Sequence, residues 1–423
     1  MDIRRTVLWM IFSFSLLLLW NNWQIHNGKP SLFGAPTPTA STSEPQAAAN
    51  NATPSVPSSP APAATAPSAV PGAAAPAAAA RSEEIVITTD VLRLTFDTMG
   101  AQLVRAELLK YPATGQADKP TVLLDRSAGL NYVVQTGVVG APNGQTFPTH
   151  QTPFRFVSSD RQMTGDSLAV AFEGESGGMK VTKTFTLHRG RYDIDVRHDL
   201  ANVGAAPVTP ALYLQLERDG NDPADTSSFY HTFTGFAVYS EQDKFQKITF
   251  SDIEKKKANY IKQSDNGWIA VVQHYFATAW VPPQGKPRNN ELLEVQKNLY
   301  AARSIEAVGE VAPGAAARVD SHLWVGPQDQ KAMAALAPGL ELVVDYGWLT
   351  IIAKPLFKLM TWLHSILGNW GWTIVALTVL IKAVFYPLAA ASYRSMARMK
   401  QVAPRLQALR KSTATTSRSS TPP

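Results

Sequence analysis

Hydrophobic and polar positions follow three patterns along this chain. Apolar residues run without a charge from Thr6 to Trp20 and, except for Lys382, from Trp370 to Ala391. The second run, as a helix rising about 1.5 Å per residue, is long enough to cross the roughly 30 Å hydrocarbon layer of a membrane. Between the two runs, from Glu84 onward, apolar and polar residues alternate. The chain is therefore predicted to be a membrane protein with a large β-structured domain between two membrane-spanning helices.

The alternating region predicts an antiparallel β-sandwich over residues 82–340. Glycine-rich turn sequences separate its strands, and helical periodicity is scarce before Gln328. Alternation with one apolar face is typical of strands that bury one side. The clearest examples are Val91–Phe96, Lys180–Leu187, Tyr192–Val196 and Leu212–Leu216.

Two details of this domain can be predicted from the same pattern. Asp193 and Asp195 alternate with apolar residues, so both are expected on the solvent face of a strand. The segment Gly326–Pro338 predicts a short helix that ends at its proline.

Residues 341–369 predict an amphipathic helix between the sandwich and the second span. From Leu349 to Leu367 the apolar residues recur at intervals of three and four, while Lys354 and Lys358 lie on the other side. This pattern suits a helix in the plane of the outer membrane interface, with Trp362 at headgroup depth. A core helix of the exported domain would show the same periodicity.

The N-terminal segment predicts an anchor followed by a linker. In residues 1–28 the membrane helix covers about 6–23, and no small-residue cleavage site follows, which favours an uncleaved anchor over a signal peptide. Residues 29–81 consist almost entirely of Ala, Pro, Ser, Thr, Asn and Gln. Such a segment cannot bury a core, so a disordered periplasmic linker is expected.

Charge near the spans predicts their direction. Arg4 and Arg5 precede the first span, and from Ala383 to the C-terminus there are basic residues but no Asp or Glu. Because basic residues stay on the cytoplasmic side, both termini are predicted there and the sandwich in the periplasm. Residues 392–411 then predict the start of a basic cytoplasmic helix. Residues 412–423 show no helical period and are interpreted as an aberrant tail, which does not continue the preceding pattern.

Composition adds exclusions. The 423 residues carry a formal charge of +6, but the excess of Lys and Arg lies near the two ends, so nucleic acid is not an expected partner. Cysteine is absent, and the histidines show no close ligand spacing, so no metal site is expected. We find no nucleophile or phosphate-binding motif, and we predict neither catalytic residues nor a cofactor. The six histidines of the exported part are His150, His188, His198, His231, His274 and His322.

Lys382 is the candidate functional residue. It lies about 15 Å from either end of its span, farther than a lysine side chain of roughly 6 Å reaches, so it stays near the midplane. A lysine there costs about 2.5 to 3.5 kcal/mol, which favours a hydrated or paired site. The sequence leaves open whether Lys382 pairs with a carboxylate or faces a ligand. Residues at intervals of three and four from it form one stripe: Gly371, Val375, Thr378, Phe385, Tyr386 and Ala389.

At these residues the chain resembles the YidC/Oxa1/Alb3 family of membrane protein insertases, in its Gram-negative form with a large periplasmic domain. Long ordered stretches carry the resemblance, which runs from the first anchor to about Arg410. They are His231–Ser240, Gly267–Trp280, Leu323–Leu349, Pro355–Thr378 and Tyr386–Arg410.

The resemblance implies a fold and a function. The implied fold is a periplasmic β-sandwich, an interfacial helix and a helical transmembrane core, of which only the first helix is present, around a hydrophilic groove. A cation in the groove attracts the polar or acidic part of a client protein. Lys382 matches this position, which is usually Arg in the family, and Thr378 and Tyr386 match groove-lining positions. The charge is kept, but the bidentate fork of arginine is lost.

The implied activity is that of an insertase and chaperone of the bacterial inner membrane, without catalytic chemistry. The implied partners are nascent membrane proteins, the Sec translocon, the ribosome and the lipid bilayer. Insertases of this family continue through further spans, so the tail after Lys411 predicts a truncated or frameshifted chain. Whether such a chain keeps the activity stays open. Two alternatives stay open: an anchored periplasmic scaffold with a paired Lys382, and an anchored carbohydrate-binding or carbohydrate-active protein.

Overall fold

A computed structural model describes residues 82–344, apart from Ala128, Asn143 and residues 224–231, and residues 350–418. The predicted anchor and linker lie outside the described residues. The described chain forms two compact units, one ending at Val343 and the other beginning at Val344. The first unit therefore extends beyond the boundary at 340 that the sequence pattern predicted.

The first unit contains two antiparallel sheets, each with nine described strands. Sheet A has the order β1-β2-β3-β4-β5-β10-β17-β16-β13 and sheet B the order β12-β11-β14-β15-β18-β9-β8-β7-β6. The strands of sheet A are β1 Glu84–Thr88, β2 Leu92–Asp97, β3 Gln102–Ala113, β4 Gln116–Ser127, β5 Leu130–Val139, β10 Ala211–Asp219, β13 Gln263–Ser264, β16 Arg288–Gln296 and β17 Leu299–Ala307. The strands of sheet B are β6 Arg155–Phe156, β7 Ser167–Ser176, β8 Met179–His188, β9 Asp193–Asn202, β11 Gly235–Ser240, β12 Lys244–Ile248, β14 Trp268–Gln273, β15 Phe276–Val281 and β18 Ala316–Pro327.

The hydrophobic core lies between the two sheets, which confirms the predicted β-sandwich. Strand β8 shows the underlying pattern, because every second residue from Met179 to Leu187 is buried and those between are half-buried. Phe96 from sheet A packs against Phe172 and Phe185 from sheet B, with ring centroids 5.4 and 4.7 Å away. Burying apolar surface of this kind, at roughly 25 cal/mol per Å², is the main force that holds the sheets together.

Strand β10 departs from the predicted single buried face. All its residues are buried: Leu212, Leu214 and Leu216 face the core, whereas Tyr213 and Gln215 lie on the opposite face. The opposite face is covered because hydrogen-bonded side chains of neighbouring strands lie across it. The alternation in the sequence showed which residues face the core but not that the polar face is also excluded from solvent.

A buried lysine joins the two sheets. Lys183 on β8 is fully buried, and its Nζ donates to the carbonyl oxygens of Gly100 at 2.7 Å and of Thr136 at 2.8 Å, both from sheet A. It also lies 4.5 Å from the ring centroid of Phe154. Burial lowers the pKa of Lys183 to about 7, and a neutral amine still has the two hydrogens that these carbonyls accept.

Short helices close the sandwich. Helix α1 (Phe250–Glu254) begins with a capping box in which Thr249 and Asp252 exchange hydrogen bonds. Helix α2 (Gln330–Leu336) is capped by Asp329, and its end before Pro338 confirms the predicted short helix. A 3₁₀ turn (Leu340–Val343) follows, with Leu340 and Val343 buried.

The expectation for the two aspartates of β9 is right for Asp195 and wrong for Asp193. The side chain of Asp195 is 44% exposed, but Asp193 is only 6% exposed. Arg191 covers Asp193, since both Nε and Nη2 of its guanidinium donate to that carboxylate. A bidentate partner from the preceding turn is a contact that strand alternation does not reveal.

Gly267 is a position where only glycine fits. Its φ is +89°, and a Cβ there would lie 1.8 Å from the carbonyl oxygen of Tyr239. We expect Gly267→Ala to lower the free energy of unfolding by about 3 kcal/mol or more, because backbone strain and a backbone clash combine. Gly285→Ala is the matched control, since its φ is +79° with no atom within 4 Å, so about 1 kcal/mol is expected. Equal melting temperatures for the two variants in detergent solution would contradict this.

The second unit consists of two described helices, α3 (Thr350–Leu367) and α4 (Trp370–Arg418). Helix α3 is the predicted amphipathic helix, but it begins at Thr350, and residues 345–349 lie outside the described residues. Helix α4 is continuous through the predicted span and the predicted basic segment to Arg418. The tail from residue 412, which shows no helical period in the sequence, thus begins as a helix that reaches Arg418. Ala414 has a high helix propensity, and the preceding turns already provide a helix nucleus. Extending the helix by a few residues therefore costs little free energy even without a hydrophobic period.

Candidate functional site

The turn between α3 and α4 sets the position of the candidate site. Gly368 has a φ of +65° and its N–H donates to the carbonyl of His364 at 2.8 Å, which ends α3. Asn369 then caps α4, with its Oδ1 accepting from the N–H of Gly371 at 2.8 Å. The two helices are thus joined by a very short connection and pack against each other.

One face of α4 is buried in this helical hairpin. Thr373 is fully buried, and Ala376 and Leu377 are half-buried. At the start of α4 the ring of Trp370 stacks on His364, with centroids 3.9 Å apart and planes 15° apart. His364 is therefore half-buried and packs against the first residue of α4.

Lys382 lies on the opposite face of α4. At about 100° per residue, positions 373 and 382 are separated by half a turn. Lys382 is exposed, and so are all the other members of the predicted stripe. Within the described residues no other element covers this face. These members are Gly371, Val375, Thr378, Phe385, Tyr386 and Ala389.

Thr378 and Tyr386 lie one helical turn before and after Lys382. The Thr378 hydroxyl donates to the carbonyl of Ile374 at 2.8 Å, so its oxygen lone pairs stay free to accept a further hydrogen bond. Tyr386 is 71% exposed, and its phenol can donate and accept. The three side chains together offer a cation, an acceptor and an aromatic hydroxyl in one line along the helix.

The surroundings of this line along the helix are strongly apolar. Trp370–Met399 is long and apolar enough to span a membrane. Pro387 lies one residue after Tyr386 and lacks an N–H, so the carbonyl of Ala383 loses its helical donor. A free carbonyl next to Lys382 adds an acceptor to the same region of the helix. The arrangement can attract a polar or acidic segment and form hydrogen bonds with it within an apolar layer. It contains no nucleophile placed beside a general base.

A second polar cluster lies on the face of sheet A that points away from the core. The side-chain amide of Gln135 donates to Gln102 at 2.8 Å, and that of Gln215 donates to Gln135. Gln215 Oε1 in turn accepts a hydrogen bond from Arg303 Nε. Burial raises the pKa of Glu217 on the same face, although the amide of Asn131 donates to it at 3.0 Å. These groups satisfy one another, so the cluster is a closed polar layer. Sequence analysis missed it because its members come from strands far apart in the chain.

Four histidines of the sandwich form two contrasting pairs. His150 and His198 are buried, and burial lowers their pKa values to about 4 and about 3. His188 and His322 instead converge on the two oxygens of Asp195, each at 2.8 Å. Their separation in sequence gave no signal of this convergence. Among the described residues no group of His, Asp or Glu has the geometry to hold a metal ion, and His231 lies outside them.

Two family profiles match consecutive parts of the chain. The profile for the YidC periplasmic domain matches residues 84–359, and the profile for the 60Kd inner membrane protein matches residues 362–420. Their boundary falls within α3, and the candidate site lies in the part that the second profile matches.

Curated relatives match nearly the whole chain. The membrane protein insertases YidC of Bordetella parapertussis and of Bordetella pertussis are each 80% identical over 415 residues, covering 97% of this chain and 73% of the relative. The YidC insertase of a Janthinobacterium species is 47% identical over 417 residues, covering 97% of the chain and 72% of the relative.

Two solved structures resemble part of this chain remotely. A galactose mutarotase related enzyme from Lactobacillus acidophilus has a TM-score of 0.38 and 7% identity, covering 57% of this chain and 97% of that one. A putative aldose 1-epimerase from Escherichia coli has a TM-score of 0.35 and 12% identity, covering 58% of this chain and 99% of that one. Likeness at this level carries no argument about activity.

Proposed function

Because the chain belongs to the YidC family of membrane protein insertases, we propose that it inserts and folds integral membrane proteins through a positively charged, hydrophilic groove lined by α4. The observation that carries this proposal is the position of Lys382. It lies in the middle of an apolar span, on the face opposite to the one that packs against α3. That face offers its charge to an incoming polypeptide.

The proposed mechanism is electrostatic and needs no covalent step. A polar or acidic segment of the client enters the hydrated groove, where Lys382 attracts it, while the apolar segment of the client moves into lipid. A charge in a low-dielectric surrounding acts more strongly than in bulk water, so a single cation can guide the segment. Transfer of the apolar segment into lipid then makes insertion favourable.

Thr378 and Tyr386 have supporting roles in this proposal. Both can exchange hydrogen bonds with the backbone of the client, which carries unpaired polar groups while it crosses an apolar layer. Their hydroxyls lower the cost of that passage without binding any side chain strongly. This weak and general contact suits a groove that accepts many different clients.

The proposed location is the bacterial inner membrane, in a multi-pass topology with the sandwich in the periplasm and both termini in the cytoplasm. The basic residues after the span, among them Arg394 and Arg398, support this direction. The exposed apolar residues of α3 support a location of this helix at the membrane interface. Ile352, Trp362 and Ile366 are each more than half exposed, and no other described element packs on them.

The proposed partners follow from the same role. The substrates are nascent membrane proteins, received alone or beside the Sec translocon, with the ribosome on the cytoplasmic side and lipid around α4. We further propose that the chain acts without catalytic chemistry or cofactor. The closed polar layer on sheet A supports this view, because Arg303 Nε already donates to the side chain of Gln215.

Reconstitution in liposomes tests the proposed function. The client is a single-span protein with a short acidic tail that must cross the bilayer, and protease protection of the tail measures insertion. Two proteins are compared with empty liposomes: the chain itself, and a chimera in which residues 1–411 are joined to the remaining C-terminal part of the Bordetella pertussis relative. Protection with either protein supports the proposal, and protection no better than with empty liposomes in both cases refutes it.

A further inference from the structure

A buried arginine lies between the two sheets of the sandwich and has no acidic hydrogen-bond partner among the described residues. Arg218, near the end of β10, is 1% exposed, and its guanidinium carbon lies 5.3 Å from the ring centroid of Tyr132 on β5. Both side chains belong to the core-facing side of sheet A. A guanidinium cannot lose its charge in a protein, so this position holds a permanent buried cation.

The hydrogen bonds of Arg218 are far from complete. Its Nη2 donates to the carbonyl oxygen of Asn221 at 3.1 Å. Its Nε and Nη1 are buried and donate to no acceptor among the described residues. Leaving a charged donor buried and unpaired is costly, by several kcal/mol in typical cases.

Two buried hydroxyls lie near the guanidinium and face each other across the two sheets. Tyr132 Oη and Thr278 Oγ1 are close enough to hydrogen-bond to each other, and neither has another partner among the described residues. Thr278 lies on β15 of sheet B and approaches the Tyr132 hydroxyl, and burial raises the pKa of Tyr132 far above its ordinary value. The phenol keeps its proton, so the pair of hydroxyls retains one O–H that can donate to a further acceptor.

The nearby carboxylates are directed elsewhere. Asp219 accepts the N–H of Asn131 with one oxygen and the N–H of Asn221 with the other, at 2.9 Å for the second. Asp222 is exposed. Asp219 and Asp222 raise the pKa of Arg218 from a distance, while burial, the larger effect, lowers it. The positive charge is thus incompletely balanced where the free donors lie.

We propose that Arg218, Tyr132 and Thr278 form a buried binding site for a small inorganic anion of the size of chloride. Such an ion accepts hydrogen bonds from any direction, so it satisfies the unpaired guanidinium N–H groups and the one O–H that the Tyr132–Thr278 pair leaves free. It also neutralises the buried cation. Because Tyr132 and Arg218 belong to sheet A and Thr278 to sheet B, the bound ion links the sheets.

Thermal unfolding of the full chain in detergent tests the site, in sodium chloride and in sodium gluconate at equal ionic strength. Gluconate is too large for a closed interior, so chloride is expected to raise the melting temperature by about 3 °C, with saturation. The variants Arg218→Met and Tyr132→Phe should lose this difference. Arg318→Met is the matched control, because Arg318 is an exposed arginine paired with Asp199, and it should keep the difference.

Bromide provides a test that does not depend on stable variants. In crystals grown in sodium bromide, an anomalous peak is expected at hydrogen-bonding distance from the Arg218 guanidinium and the Thr278 hydroxyl. Equal melting temperatures in chloride and gluconate for the unmodified chain overturn the proposal. So does water density without an anomalous peak at this place, since it means that water alone completes these hydrogen bonds.

Discussion

Lys382→Glu is expected to reduce insertion of a client with an acidic translocated tail by about tenfold or more. A unit charge about 10 Å away interacts with roughly 1.7 kcal/mol at an effective dielectric constant of 20, so reversing the sign changes the energy by roughly 3 kcal/mol. Water in the groove reduces this value, and about 1.4 kcal/mol is enough for a factor of ten. The measurement is the protease-protected fraction of the tail in the liposome assay.

Three comparisons make this result specific to the charge at that position. Lys382→Arg should insert at least as well as the unmodified protein, because the charge is kept and the bidentate fork is added. Lys358→Glu is the matched control on α3, since Lys358 is a lysine of the same unit that lies outside the span, and it should have little effect. A client with a neutral tail should respond less to Lys382→Glu. Normal insertion of the acidic tail by Lys382→Glu would contradict the proposed role and favour the anchored scaffold with a paired lysine.

Acidification is expected to destabilise the sandwich through two buried histidines. The pKa values of His150 and His198 are about 4 and about 3 in the folded state, against 6.5 for an exposed histidine, mainly because of burial. Between these values the unfolded chain binds protons that the folded chain excludes, so stability is fully present above pH 6.5 and falls with the pH below it. Each histidine contributes about 1.4 kcal/mol per pH unit, so the loss from pH 6.5 to 4.5 is about 5 kcal/mol for the pair.

The physical reason is that burial removes the water that would stabilise a protonated imidazole at either position. His150 Nδ1 lies 2.6 Å from the hydroxyl of Tyr213, and His198 Nε2 lies 3.0 Å from the hydroxyl of Thr136. Lys183 adds repulsion to both. Its own folded pKa of about 7, below the ordinary 10.5, makes stability rise between pH 7 and 10.5 and adds no slope in the acidic window.

Denaturant unfolding of the chain in detergent, followed by tryptophan fluorescence at several pH values, measures this slope. Three fully buried tryptophans report on the sandwich: Trp268, Trp280 and Trp324. His198→Gln should flatten the slope by about 1.4 kcal/mol per pH unit even if it lowers stability at pH 7. Phe156→Leu is the control, because Phe156 packs against the same core and carries no titratable group, and its slope should match the unmodified chain. An unchanged slope in His198→Gln would refute the assignment.

The candidate site could be predicted from sequence because it depends on local geometry. Lys382, Thr378 and Tyr386 share a face in any helix, since intervals of four residues return to nearly the same side. The apolar run around them predicted the span, and the structure shows a helix that covers it. What the sequence could not show was which face packs in the helical hairpin. Thr373 is buried there because the short turn at Gly368 brings α3 back along that side.

By itself, the sequence determined the division into a β-structured part and a helix of membrane-spanning length, the sandwich class and the place of Lys382 on that helix. Each of these depends on residues close together in the chain, through helical or strand periodicity and charge near the spans. Only the tertiary structure decided the long-range polar contacts: Lys183 between the sheets, the two histidines on Asp195 and the incompletely paired Arg218. Their partners come from strands far apart in sequence, because a sandwich makes neighbours of segments that local periodicity cannot connect.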